Sequence, residues 1–194
     1  MKKHEYCTII QNEKYHIEIT EDETFVVDSN DNAKYDYVLN PLVKCSDNMY
    51  KVLNIVIQGY QNCTAALIGD INTFVVDCAI LDKNVLTVLQ NDYITQIDLD
   101  SMRIVAGYEL DVFGTTFSIY KMSDGYLIYG EIEIIKLDNN FQVLWRFGGR
   151  DILYMELVLV LIQTSLFQAY ITVFLSQISV IMESLMARHP LQVW

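Results

Sequence analysis

The sequence predicts a mainly β protein: an antiparallel meander over residues 1–149, followed by an apolar helix within residues 150–194. Three observations predict it. Short runs rich in β-branched and aromatic residues alternate in polarity with a period of two. Asn, Asp and Gly punctuate those runs, as turns require. After Gly148-Gly149 the composition changes abruptly: all 8 glycines, 12 of the 13 Lys and Arg and 22 of the 25 Asp and Glu precede residue 151. Such a shift marks a boundary between an acidic β-rich region, 1–149, and an apolar segment, 150–194.

Along the chain, "YHIEIT" (15–20) sets Tyr15, Ile17 and Ile19 against His16, Glu18 and Thr20, the pattern of a half-buried strand. "TFVVD", "VLNIVIQ", "NVLTVL" and "GYLIYG" are strand-like runs too short for stable helices. Pro41 interrupts between "DYVLN" and "LVKC" and predicts a turn or a sheet edge there. "FQVLWRF" (141–147) is expected to place Phe141, Val143, Trp145 and Phe147 on one face and Gln142, Leu144 and Arg146 on the other.

An internal repeat runs through this region. "ITQIDLDSMRIVAGYEL" (94–110) overlays "IEIIKLDNNFQVLWRFGG" (132–149) at an offset of about 38 residues. That overlay sets Ile94, Ile97, Leu99 and Asp100 on Ile132, Ile135, Leu137 and Asp138. Each unit is a strand, an Asp-led turn and a second strand. "LDNNFQVLW", through Leu137, Asp138, Val143 and Trp145, resembles the repeat of quinoprotein-type β-propellers. The resemblance implies blade-like β units. The first unit departs from it, with Val105 and Ala106 where a Trp would be expected, and nothing resembling a quinone site is carried over.

Composition excludes some functions. The chain is 52% apolar and 12% aromatic, which a disordered protein is not, and its net charge of −12 without a basic run repels nucleic acid. Cys7, Cys45, Cys63 and Cys78 are too far apart for a zinc knuckle or a redox pair. Two lysines open the chain without an apolar stretch behind them, so the expectation is a cytoplasmic protein with reduced thiols. The Asn62 sequon is then a chance occurrence.

Candidate chemistry is sparse. "DSNDNAKYDYVL" (28–39) places Asp28, Asn30, Asn32 and Asp36 where a calcium loop has ligands. Ala33 stands where such a loop needs Gly, and Leu39 where it needs Glu, so a polar hairpin loop is expected. Asp98 with Asp100 and Glu131 with Glu133 are i, i+2 pairs, each on one strand face. Converging carboxylates would suit glycoside hydrolysis, but acids alternating with Ile ordinarily form a solvated sheet face. His4, His16 and His189 lie near no nucleophile motif, and the adjacent glycines of "FGGRD" suit a junction better than a phosphate cradle. No catalytic, cofactor-binding or metal-binding residue is assigned, and no cofactor is expected. A non-catalytic interaction or ligand-binding module is favoured over a carbohydrate-acting hydrolase, and the 13 tyrosines suit a binding surface.

Residues 157–182 carry no charged side chain. A helix is expected there, with Asp151 as its N-cap, Glu156 near its start and Arg188-His189-Pro190 closing it. Thr164, Gln168, Thr172, Ser176, Ser179 and Glu183 trace one polar stripe. A helix of this kind needs a partner: a protein, another copy of the chain or a membrane, in which case the acidic region stays on the cytoplasmic face. A segment translated from a shifted reading frame is the third reading left open.

Overall fold

The computed structural model describes residues 7–41 and 50–148, all within the first of the two units into which the chain divides, Met1–Leu153. The helix expected within 150–194, Cys45, His4, His189 and the Gly149 half of the junction lie outside the described residues.

The described residues form thirteen strands and no α-helix: β1 (Thr8–Gln11), β2 (His16–Glu21), β3 (Tyr37–Leu39), β4 (Lys51–Gln58), β5 (Cys63–Gly69), β6 (Ala79–Asp82), β7 (Val85–Gln90), β8 (Tyr93–Asp98), β9 (Arg103–Glu109), β10 (Thr116–Met122), β11 (Gly125–Gly130), β12 (Glu133–Leu137) and β13 (Val143–Gly148). They make three sheets, ordered β1-β2-β4-β5-β3, β6-β7-β8-β9 and β10-β11-β12-β13. Every pairing is antiparallel except β3 with β5. The mainly β, antiparallel expectation holds. The loop at 28–36 is not a hairpin, because it leads from β2 to β3, which runs parallel to β5 at the far edge of the sheet. Pro41 lies just beyond that edge strand.

Tight turns connect the meanders. Lys83-Asn84 and Asn91-Asp92 are two-residue loops between the paired residues Asp82 and Val85, and Gln90 and Tyr93. Lys83 and Asn91 take φ of 56° and 55° there, the left-handed geometry that such hairpins demand.

The second sheet is buried on both faces. Leu86 and Val88 on β7, with Ile97, pack against Ile17, Ile19, Leu53, Ile55 and Leu67 of the first sheet. Leu89 and Ile94 turn the other way, onto Ile119, Tyr126, Ile128, Ile135 and Leu137 of the third. Adjacent strand residues point to opposite faces, which is why "VLTVLQ" is apolar almost throughout. Each such side chain contributes about 1.5–3 kcal/mol on burial. The outer face of the first sheet, with Val52, Ala66 and Ile68, is covered by Phe25, Val27, Tyr35 and Tyr50. Asp22 holds this cover in place, accepting hydrogen bonds from Thr24 N (2.9 Å), Thr24 Oγ1 (2.6 Å) and Tyr35 Oη (2.6 Å). Burial works against ionising Asp22, but the bonds from Thr24 and Tyr35 outweigh it and hold its carboxyl below the usual range.

"TFVVD" is not a strand. The five letters occur at both 24–28 and 73–77, and each copy is a connector that pairs in no sheet and turns on a left-handed aspartate, Asp28 (φ 64°) and Asp77 (φ 51°). The second copy joins the first two sheets, and two side chains and one backbone amide of other strands satisfy its carbonyls. Thr8 Oγ1 donates to Val75 O, and Ser118 Oγ to Val76 O at 3.3 Å. Ile119 N donates to Asp77 O at 3.0 Å. Asn91 adds a second tie: its Nδ2 donates to Asp70 Oδ1 (3.3 Å), and its Oδ1 accepts from Thr116 N (3.2 Å).

The second and third sheets share a register. Leu86 pairs with Ile97 as Tyr126 pairs with Leu137. A bulge then skips Val105 between Gln96–Ala106 and Ile97–Ile104, and Leu144 between Lys136–Trp145 and Leu137–Val143. Ile97 therefore corresponds to Leu137 and Asp98 to Asp138, an offset two residues longer than the sequence overlay. A shift of two preserves the face of every strand residue, so the alternation pattern cannot detect it. The bulge also corrects the expected facing of "FQVLWRF". Cross-strand partners share a face, so Val143 lies with Leu137, while Trp145 and Phe147 lie opposite, with Lys136 and Ile134. Phe141 sits in the turn at φ 60° and stacks on Tyr126 with ring centroids 4.4 Å apart.

Gly125 closes the β10–β11 hairpin at φ 145°, where a Cβ would stand 2.0 Å from Leu137 O. Gly125→Ala is expected to cost about 3 kcal/mol or more in chemical denaturation, because neither the φ nor the neighbouring backbone can accommodate it.

Candidate functional site

The β1–β2 and β6–β7 turns and the end of β8 enclose a groove of ≈ 530 Å³ between the first two sheets, lined by Asn12, Glu13, Lys14, Lys83, Asn84 and Asp100. Asn12 Nδ2 donates to Lys83 O (2.7 Å), while Asn12 Oδ1 accepts from the Lys14 and Tyr15 amides at 2.9 Å. Asp100 is the centre of the groove. Its Oδ1 accepts from Lys14 Nζ (2.5 Å) and Tyr15 Oη (2.6 Å), and its Oδ2 from Asn84 Nδ2 (3.1 Å). The same Asn84 amide donates to Asp98 Oδ2 at 2.8 Å. Asp98 Oδ1 accepts from Ser101 N (2.8 Å) and Ser101 Oγ (2.7 Å), which shapes the turn.

This network fixes what the acids can do. Hydrogen bonds from Lys14 and then Tyr15 hold Asp100 below the usual carboxylate range, and the bond to Asp100 raises Lys14 in turn. A carboxylate so held stays ionised and is not a proton donor at neutral pH. Burial, with the bond to Asp100, pushes the Tyr15 phenol up, so it acts as a donor.

The second acidic pair lies on another sheet. Glu133, 3% exposed, begins β12, accepts from Phe113 N (2.5 Å) and faces Arg146 Nη1 at 3.3 Å. The Glu131 amide donates to Thr115 O at 2.7 Å, which shapes the loop before β12. Asp98 and Asp100 thus belong to the second sheet's β8–β9 turn, and Glu131 and Glu133 to the entry of the third sheet's β12.

The calcium-like loop does not converge. Asn32 closes the loop onto Val26, through Oδ1 to Val26 N and Nδ2 to Val26 O. Asp36 Oδ2 takes Thr64 N (2.8 Å) on β5. Among the described residues no group of three or more His, Cys, Asp or Glu could hold a metal ion. His16 Nδ1 meets only Gln11 Oε1, at 3.2 Å. Cys7, Cys63 and Cys78 are free thiols, and burial pushes Cys78 up to about 11, which leaves it unreactive as a nucleophile at neutral pH.

The sequence reading missed Lys14, Tyr15 and Asn84 as partners of Asp100. Tyr15 carries the signal of a core residue and Asn84 that of a turn, and both signals are correct. Nothing local tells that the β1–β2 turn of one sheet meets the β8–β9 turn of the next.

The described residues define a mainly β protein of antiparallel-based sheets. No protein-family model matches the sequence, and no curated protein matches it. Among solved structures, the chain is similar to apo AztD from Citrobacter koseri, with a TM-score of 0.32 and 8% identity over 75% of this chain and 60% of that one. It therefore spans less than two thirds of that protein's length.

The Lys14–Asp100 pair gives a pH signature. The depressed Asp100 contributes stability above the unfolded carboxylate pKa of about 4, lost as pH falls through its lower folded value. The raised Lys14 contributes below about pH 10.4, lost as pH rises through its higher folded value. Thermal melts of Lys14→Met, Asp100→Asn and the double variant should show coupling at neutral pH that disappears at both extremes.

Proposed function

We propose that this chain is a non-catalytic binding module of propeller-type blade repeats, with residues 157–182 serving to attach it to a protein partner, another copy or a membrane on its cytoplasmic side. One observation carries the non-catalytic part: both oxygens of Asp100 are occupied by donors from the neighbouring sheet and turn. An acid pair for glycoside hydrolysis needs one carboxyl kept protonated and a second facing it across the substrate. Asp100 is instead held ionised, Asp98 is committed to its turn, and Glu133 is bound to Arg146. The blade reading is supported by the shared register of the second and third sheets, bulge included. The attachment reading is supported by the uncharged run 157–182, and the absence of a basic run disfavours nucleic acid as a partner.

Assay of the full-length chain on aryl glycosides tests the reading against the hydrolase alternative. The expected result is no turnover, with Asp100→Asn and Glu133→Gln lowering the melting temperature. Turnover abolished by either substitution would establish the hydrolase instead. Fractionation of full-length and 1–150 chains without detergent should show self-association or membrane pelleting of the full-length chain alone.

A further inference from the structure

The second and third sheets correspond strand for strand, so a residue that breaks the correspondence stands out. On the face of the second sheet that meets the third, Thr87 of β7 pairs with Gln96 of β8. The corresponding pair in the third sheet is Leu127 with Lys136. Thr87 is 3% exposed, and its neighbours on this face, Leu89 and Ile94, belong to the apolar core. Gln96 is only half-buried, so the buried hydroxyl of Thr87 is paired with an amide that still reaches the groove. Gln96 Nε2 donates to Thr87 Oγ1 at 3.2 Å. Among the described residues, the amide oxygen and second N–H of Gln96 have no further bond.

These two side chains line a groove of ≈ 290 Å³ between the second and third sheets. Val105, the bulged residue of β9, and Ile80 supply apolar wall, and Asp82 stands on the lining. The volume is at the small end of ligand pockets, which begin near ~300 Å³. Tyr126 also borders the groove, and its ring already has two partners. Phe141 stacks on it at 4.4 Å between centroids, and Lys121 Nζ lies 4.2 Å from its centroid. A flat aromatic ligand would have to compete with these partners for the ring. The groups on offer instead both donate and accept, as the hydroxyls of a puckered ring do.

We propose that this groove binds a small, neutral, polyhydroxylated ring, a monosaccharide or cyclitol, through Thr87 and Gln96. The site lies across the Lys83-Asn84 turn from the Asp100 groove, shares those two lining residues with it, and deepens the binding-module reading on which it rests. Gln96 spans two hydroxyls with its oxygen and free N–H, Thr87 exchanges a third hydrogen bond, and Asp82 accepts at the mouth. Val105 and Ile80 cover the C–H face of the ring.

Calorimetry and saturation-transfer NMR on the full-length chain test it, with myo-inositol and D-glucose as probes and cyclohexanol and adenine as controls. At least one polyol should bind saturably and more tightly than either control. Thr87→Val and Gln96→Leu, each of which replaces one polar member of the pair by an apolar side chain, should each weaken that binding by about tenfold while leaving the melting temperature unchanged or raised. No saturable polyol binding, equal binding of cyclohexanol or adenine, or unchanged affinity in both variants would each overturn the proposal. A sharp fall in melting temperature in both variants would also overturn it, by making the Thr87–Gln96 pair a structural bond. Glycoside turnover by the full-length chain would sink the non-catalytic reading alone, and absence of polyol binding would sink the site alone.

Discussion

Three backbone carbonyls, those of Val75, Val76 and Asp77, are the junction on which the arrangement of the sheets depends. They belong to a connector that pairs in no sheet, so their hydrogen bonds must come from elsewhere. Thr8 of β1 supplies one, and Ser118 and Ile119 of β10 supply the others. The connector also leads directly into β6, so the first strands of all three sheets are set against one another by the same few residues. Thr8 works twice, because its Oγ1 also accepts from Cys78 N at 3.2 Å. A change there strands a buried carbonyl and a buried amide together, each costing about 1–3 kcal/mol if left unpaired.

With the first strands fixed, the second sheet lies between two others, and its turns border both grooves. Lys83 and Asn84 line the groove toward the first sheet and also the groove toward the third. The two grooves differ in chemistry because different side chains close them. On one side an ammonium, a phenol and an amide converge on Asp100 and bind the sheets together. On the other, a hydroxyl and an amide satisfy each other once and leave valences over. The same turn therefore separates a groove saturated with internal bonds from one that is not.

Much of this was legible residue by residue. Tyr15, Ile17 and Ile19 are core, as the alternation in "YHIEIT" requires, and "VLNIVIQ", "NVLTVL" after its turn residue Asn84, and "GYLIYG" lie in β4, β7 and β11. What alternation cannot carry is register. A two-residue slip leaves every face unchanged, so Asp100 was overlaid on Asp138 when the pairing sets Asp98 there. A bulge does the opposite, reversing faces without altering composition, and so Val143 and Trp145 part company at Leu144. "TFVVD" was misread for a third reason. Its β propensity is real, but Asp22 and Asp70 open turns before its two copies, and a left-handed aspartate ends each one. The Asp100 groove was illegible because its partners come from strands far apart in the chain.

The bulges at Val105 and Leu144 have a consequence for the protein in a crowded solution. Both lie on the last strand of a sheet, where unpaired N–H and C=O groups would otherwise template another chain. A bulge twists that row out of register and spoils it as a template. The first sheet has no bulge recorded on β5 and protects that strand differently, by laying the three-residue β3 along it. Three outward rims are thus made poor polymerisation surfaces by two devices. The weakest is the one that relies on β3, held beside β5 by the Asp36–Thr64 bonds. Loss of those bonds would leave β3 held to β5, an apolar strand with the sequence "CTAALIG", by the backbone ladder and the Asp36 amide alone.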